Sequence, residues 1–214
     1  MKKKNISRLI CTIVIFGVLQ FFLLTSLAAY YYPGGYSYFK YYFSDLGAVV
    51  AKNGEINSIS STFFFISLTL VALALIPFWL IIRLLFTESQ VERILSVLGS
   101  ALGLVSSPFI IGIALFPIDT QLETHILVTL IFFLLFTLAT LLYSIAIILN
   151  QQYSNYFGFV GVILFIISLI VFINPIAPYV AFLQNIVAYG YFIWIVGPLY
   201  LVWPIIGPES SNSA

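Results

Sequence analysis

The sequence predicts an all-α, polytopic membrane protein: a six-helix transmembrane bundle with both termini in the cytoplasm. Three observations lead there. From Ile126 to Pro208 the chain carries no Asp, Glu, Lys, Arg or His, and a water-soluble fold of 214 residues has no means of covering so much apolar sequence. Hydrophobic residues make up 62% of the chain and aromatics 18%, against 7% charged, so membrane composition runs throughout rather than sitting in one anchor. Lys and Arg, finally, divide unequally between the two ends of the apolar runs.

A span needs about 20 apolar residues to cross roughly 30 Å of hydrocarbon. Leu9 to Tyr31 qualifies first. Its Lys-Lys-Lys start and Ser26-Leu27-Ala28 also resemble a cleaved secretory signal, but the run is far longer than the core of about 7–15 residues that such signals carry. The second span is Ser58 to Ile82, opened by Asn57 after a Gly54 turn. The third is Ile94 to Phe116 and the fourth Ile126 to Leu149. Two breaks, Asn150 to Asn155 and Asn174 to Pro178, cut out the fifth span, Tyr156 to Ile173, and the sixth, Leu183 to Ile206, because their backbone groups need water or an interface. One membrane domain covers residues 1–214. Strands fit poorly, since the runs are continuous and exceed the segments of about 10 residues found in membrane barrels.

With six spans, Lys2, Lys3, Lys4, Arg8, Arg83 and Arg93 fall at one end and Lys40 and Lys52 at the other. The richer end is cytoplasmic by the positive-inside rule, which makes this a multi-pass protein of the cell membrane. Trp79, Tyr153, Tyr156 and Trp203 suit an inner aromatic belt, and the tyrosines from Tyr30 to Tyr42 an outer one. Ser89-Gln90-Val91-Glu92 and Thr120-Gln121-Leu122-Glu123 match capping boxes, so Glu92 and Glu123 are expected to cap helices. Gly99, Gly103 and Ser107 form a small-residue face, suited to packing within the chain or to a homo- or hetero-oligomer. Pro77, Pro108 and Pro198 lie within spans and are expected to bend them. Cys11, the lone cysteine, sits in an apolar run and has no partner for an internal disulfide.

A net charge of +1 offers no basic face for nucleic acid, which leaves membrane lipids as the expected partners. On the fourth span, steps of about 100° per residue bring His125, Thr129, Thr137, Thr140, Tyr143 and Ser144 onto one stripe. Gln20 is a natural partner for it from the first span. Five titratable residues, Asp45, Glu55, Asp119, Glu123 and His125, fall at the outer end. Asp45 sits in Ser44-Asp45-Leu46-Gly47 among aromatics, and Asp119 in Phe116-Pro117-Ile118-Asp119 shortly before the only histidine.

Phe43-Ser44-Asp45-Leu46-Gly47, Asn57, then Gly112, Phe116-Pro117, Asp119 and His125 resemble the pattern of a prokaryotic membrane family known only as domain of unknown function number 998. That family is similar in turn to a eukaryotic group containing the autophagy modulator DRAM, the yeast protein Sfk and a factor that remodels lipid anchors. The motifs cover most of the first four helices, while the last two match in hydropathy alone. The resemblance implies a six-helix fold, a polar cluster of Asp45, Asp119 and His125, and an association with lipids. The proline and glutamate that follow the first motif in the eukaryotic group are absent here in that spacing, with Glu55 the nearest substitute, so lipid-anchor remodelling does not carry over.

Two classes of function fit these residues. One is a non-catalytic lipid-binding or regulatory module, or a subunit of a membrane assembly, with Asp45, Asp119 and His125 tying the first loop to the fourth helix. The other is a membrane-embedded lipid-modifying hydrolase or transferase, in which Asp45 orients His125 as general base and Asp119 holds a metal or a second proton. Ser44, Ser60 and Thr120 are conceivable nucleophiles for it, without a nucleophile elbow around them. A single histidine gives no typical catalytic zinc set, although Asp45, Asp119 and His125 are weak metal candidates, and no bis-histidine heme pair. The spans lack a central ionisable residue, which weighs against a proton-linked carrier.

Overall fold

The computed structural model describes residues 2–150, 152–175 and 177–206, with side chains from Ile6 to Val202 except at 151 and 176. Among the described residues six helices are long and apolar enough to cross a membrane. They are α1 (Lys2–Tyr30), α2 (Ser58–Ile81), α3 (Gln90–Leu115), α4 (Leu122–Leu149), α5 (Tyr156–Ile173) and α6 (Val180–Ile206). Short 3-10 helices follow at Phe43–Gly47, in the first loop, and at Ile82–Leu85, which extends α2. Among the described residues there is no strand, only an isolated antiparallel bridge between Val50 and Ile56.

The fifth helix matches its expected bounds, and α3, α4 and α6 begin about one turn early, because a first helical turn tolerates polar residues that a hydropathy window rejects. His125 consequently lies inside α4 rather than before it. Each helix packs on the next, and α6 returns to α1. The connections alternate ends, so one end of the bundle carries the Asp45 loop, the α3–α4 turn and the start of α6; we call it the Asp45 end.

Close approach depends on small residues. A Cβ on Gly17 would meet Ala74, one on Gly103 the Trp79 ring, and one on Gly161 the Ser144 hydroxyl. Gly158, Gly161, Leu164 and Ser168 recur every three or four residues and form the buried face of α5. Gly99 packs against Tyr143, Gly103 against Trp79, and Ser107 is buried, so the small-residue face proposed for an oligomer is occupied within the chain.

Several expectations are corrected. Trp79 is not a belt residue: it is fully buried between Gly103 and Tyr143. Tyr32 and Tyr36 also turn inward, whereas Tyr30, Tyr31 and Tyr38 remain exposed. Lys2, Lys3, Lys4 and Trp203 have side chains outside the described residues. Neither capping box forms. Ser89 is the N-cap of α3 but makes no side-chain cap bond, and the N-cap of α4 is Gln121 rather than Thr120. Glu92 is buried instead, accepting a 2.7 Å hydrogen bond from Asn150 across the α3–α4 pair, a partner of the kind a buried carboxylate requires. Gln20 bonds Gly17 O and Ser67 O, not the α4 stripe. The stripe itself divides: Thr137 bonds the Tyr191 hydroxyl at 2.6 Å, while Tyr143 donates to Ser96 O at 2.9 Å. Cys11 is fully buried.

Candidate functional site

The Asp45 end is organised around the backbone of one loop. Phe43 to Ala48 are all buried there, although the segment has only a 3-10 helix to satisfy its own polar groups. Buried backbone N–H and C=O groups must find partners, and here side chains from several elements supply them. The Asp45 carboxylate reaches back to its own helix start, where Oδ2 accepts the Tyr42 N–H at 2.9 Å. From α2, Asn57 Nδ2 donates to Leu46 O and Ala48 O at 3.1 and 2.9 Å, and Ser60 Oγ to Leu46 O at 2.9 Å. From α6, Gln184 Oε1 accepts the Phe43 N–H at 3.0 Å, and Asn185 Nδ2 donates to Tyr41 O at 2.9 Å. The Tyr36 hydroxyl lies 2.9 Å from Tyr42 O and 3.0 Å from Asn185 Oδ1.

Past the 3-10 helix the chain turns tightly. Gly54 adopts φ +87°, a conformation open to glycine at no steric cost, and its N–H closes the turn onto Ala51 O at 2.9 Å. That turn carries Lys52 back over the loop. Its Nζ lies 2.9 Å from Asp45 Oδ1, joining a carboxylate that is 1% exposed to an ammonium whose side chain is 50% exposed. Partial burial works to lower the lysine pKa, but the hydrogen bond and charge of Asp45 outweigh it, and the net result is a raised value. The protonated lysine is thus favoured by folding. Its contribution should be complete below the ordinary lysine value of 10.5 and fade as pH climbs through the higher folded value. Alkaline titration of thermal stability should accordingly show a loss above about pH 10.5 that Lys52→Met flattens.

The other two predicted site residues bind backbone as well. Asp119, exposed in the α3–α4 turn, accepts the Val49 N–H at 3.0 Å on Oδ1 and the Val50 N–H at 2.9 Å on Oδ2. His125, 3% exposed in the first turn of α4, sets Nδ1 2.7 Å from Phe116 O at the end of α3. A carbonyl can only accept, so Nδ1 carries the proton and the imidazole closes the α3–α4 hairpin. Asp45, Asp119 and His125 thus converge on one loop and its supporting turn, each through its own backbone partners. Glu55 and Glu123 are exposed at the same end. Among the described residues no three His, Cys, Asp or Glu side chains are grouped to hold a metal.

Residues 15–199 match the family described as a protein of unknown function, DUF998. The chain belongs to that family. The match runs into α6, so the last two helices share in a likeness that the motifs carried only through the first four. No curated protein and no solved structure matches the chain, and the likeness to the eukaryotic group gains nothing from these comparisons.

Beneath the loop, this DUF998 protein has a small, partly open cavity of about 40 Å³. Phe43 and Ser44 form its end at the loop, and Leu68, Ile110, Phe132 and Phe192 supply apolar walls from α2, α3, α4 and α6. Sequence inspection missed Lys52, Gln184 and Asn185 as parts of this end. Lys52 left only a faint trace, since Lys40 lies nearer to Asp45 along the chain and nothing in the spacing says which lysine turns back onto it. Gln184 and Asn185 are the polar pair in the first turns of the last span, and their spacing says nothing of the loop they hold.

Proposed function

We propose that this is a non-catalytic membrane module, lipid-binding or regulatory in role or a subunit of a larger assembly, with a rigid cap on its outer face. One observation carries it: Asp45, Asp119 and His125, the groups best suited to chemistry, are each engaged with backbone of the loop or the turn beneath it. A general base needs a free lone pair directed at substrate and an orienting partner. His125 has the orienting partner in Phe116 O, but it is 3% exposed and does not line the cavity beneath the loop, while Asp45 and Asp119 spend their oxygens on backbone N–H groups and Lys52.

The Asp45 end faces outward in this proposal, with both termini cytoplasmic and the protein in the cell membrane. Arg8, Arg83 and Arg93 at the opposite end, against Lys40 and Lys52 at this one, support that orientation.

The test compares Asp45→Asn, Asp119→Asn and His125→Gln with the wild type in detergent, measuring melting temperature, metal content and co-purified lipid. Each substitution removes or weakens about one net hydrogen bond, of order 1 kcal/mol, or about 2–4 °C in a chain of this size. The expected result is a lowered melting temperature with bound lipid per folded molecule unchanged. Unchanged stability with metal or lipid lost would instead make these residues a ligand site.

A further inference from the structure

We infer that the end of the bundle opposite Asp45 binds one anionic phospholipid, whose phosphate sits between Arg83 and Arg93 and whose acyl chain lies along the α2–α3 seam. This rests on the lipid-binding role proposed above and names the lipid class and its place. The two arginines stand at head-group depth, one in the last turn of the α2 span, which ends at Leu85, the other in the first turn of the α3 span, which begins at Gln90. Both are exposed. What sets them apart is how this end spends its charges. Glu88 and Glu92 lie between the two arginines in the chain, yet Glu88 Oε1 accepts from Gln152 and Glu92 Oε2 from Asn150, both at the α4–α5 connection. Among the described residues Arg83 makes no ion pair or hydrogen bond, and Arg93 donates once, from Nη2 to Thr87 O. Neutral amides thus take the carboxylates, and two guanidiniums keep most of their donors for an anion from outside the chain.

Helix geometry brings the pair to one seam. Ser100 on α3 donates to Trp79 O on α2, which marks the faces that the two helices turn to each other. Steps of about 100° per residue place Arg83 and Ile76 about 40–60° from Trp79, and Arg93 and Val97 about 20–60° from Ser100. All four are exposed, so they border the seam on its lipid side. The bond to Thr87 O draws the Arg93 side chain over the α2–α3 connection, towards the turn that carries Arg83. Phe86, 1% exposed, pins that connection, and its N–H closes on Arg83 O at 3.1 Å. One phosphate can therefore meet both guanidiniums while an acyl chain runs along Ile76 and Val97. Arginine suits that boundary, because its stem packs on apolar surface while its head stays among the head groups. A zwitterionic head group would bring its own cation to the site. An anionic one brings none, so the arginines favour it.

Native mass spectrometry of the full-length protein in detergent gives the test, by titration with equal amounts of dioleoylphosphatidylglycerol and dioleoylphosphatidylcholine, or with inorganic phosphate alone. The expected result is saturable retention of one phosphatidylglycerol, preferred over phosphatidylcholine, with the preference shrinking as salt rises. Arg83→Gln and Arg93→Gln should each weaken it about threefold to tenfold with melting temperature kept, whereas Lys40→Gln, at the Asp45 end, should leave it unchanged. If Arg93→Gln does not fold, Arg83→Gln decides. Inorganic phosphate held as tightly as phosphatidylglycerol would overturn a lipid as the occupant. Retention that is indifferent to head-group charge, or altered no more by the arginine substitutions than by Lys40→Gln, would overturn this site while leaving a general lipid-binding role standing. Absence of any lipid retained above an unrelated six-helix control would overturn both.

Discussion

Gly103→Val should unfold or severely destabilise the protein, because a Cβ at that position would run into the indole of Trp79. Real Cβ atoms do not approach that closely, so either ring or helix must move. The ring has little room: Trp79 is fully buried, stacked on Tyr143 at 5.9 Å and edge-on to Phe136 at 5.3 Å. Overpacking of a tight core costs about 1–3 kcal/mol, and at a contact this short we expect the upper end or beyond, a fall of about 6–12 °C. Trp79→Ala alone should cost about 3–5 kcal/mol by opening a void. The double substitution is the decisive measurement. Valine methyls would occupy space vacated by the indole, whose N–H has no partner to lose, so the pair should cost less than the two singles added, by about 1 kcal/mol or more. Simple additivity in thermal unfolding followed by circular dichroism would mean that α2 and α3 do not meet through this contact.

Lys52→Met should destabilise more than Asp45→Asn, an order opposite to the one the sequence suggests, where Asp45 is the site residue and Lys52 a loop charge. The asymmetry follows from exposure. Removing Lys52 strands a carboxylate that is 1% exposed with only the Tyr42 N–H to hold it. Stranding one partner of a fully buried pair costs about 3–5 kcal/mol; because the Lys52 side chain is 50% exposed, water replaces part of its charge, and about 2 kcal/mol is the expected loss. Asp45→Asn keeps an acceptor for Tyr42 and leaves an ammonium that can be hydrated, at a cost of about 1 kcal/mol. Melting temperatures at neutral pH and low salt would reveal the order. Equal effects would mean that the pair is solvated throughout, and a larger effect of Asp45→Asn would mean that the carboxylate charge itself is used.

The helices were legible in the letters. Tyr156–Ile173 is bounded by Asn155 and Asn174 in the sequence as in the fold, because whether a segment spans a bilayer depends on its own transfer free energy and on hydrogen bonds made within it. The placement of Asp45 and His125 at one end also follows from the count of crossings, which is local information added up along the chain. What each polar group bonds does not follow, and there the sequence misled. Glu92 and Glu123 sit at capping-box spacing yet cap nothing, and Glu92 bonds Asn150, far along the chain. Asp119 spends both oxygens on Val49 and Val50, and Gln184 and Asn185 hold a loop from the opposite end of the sequence. Such partners are chosen by which backbone groups packing strands away from water, a quantity that exists only once all six helices and the loop have come together.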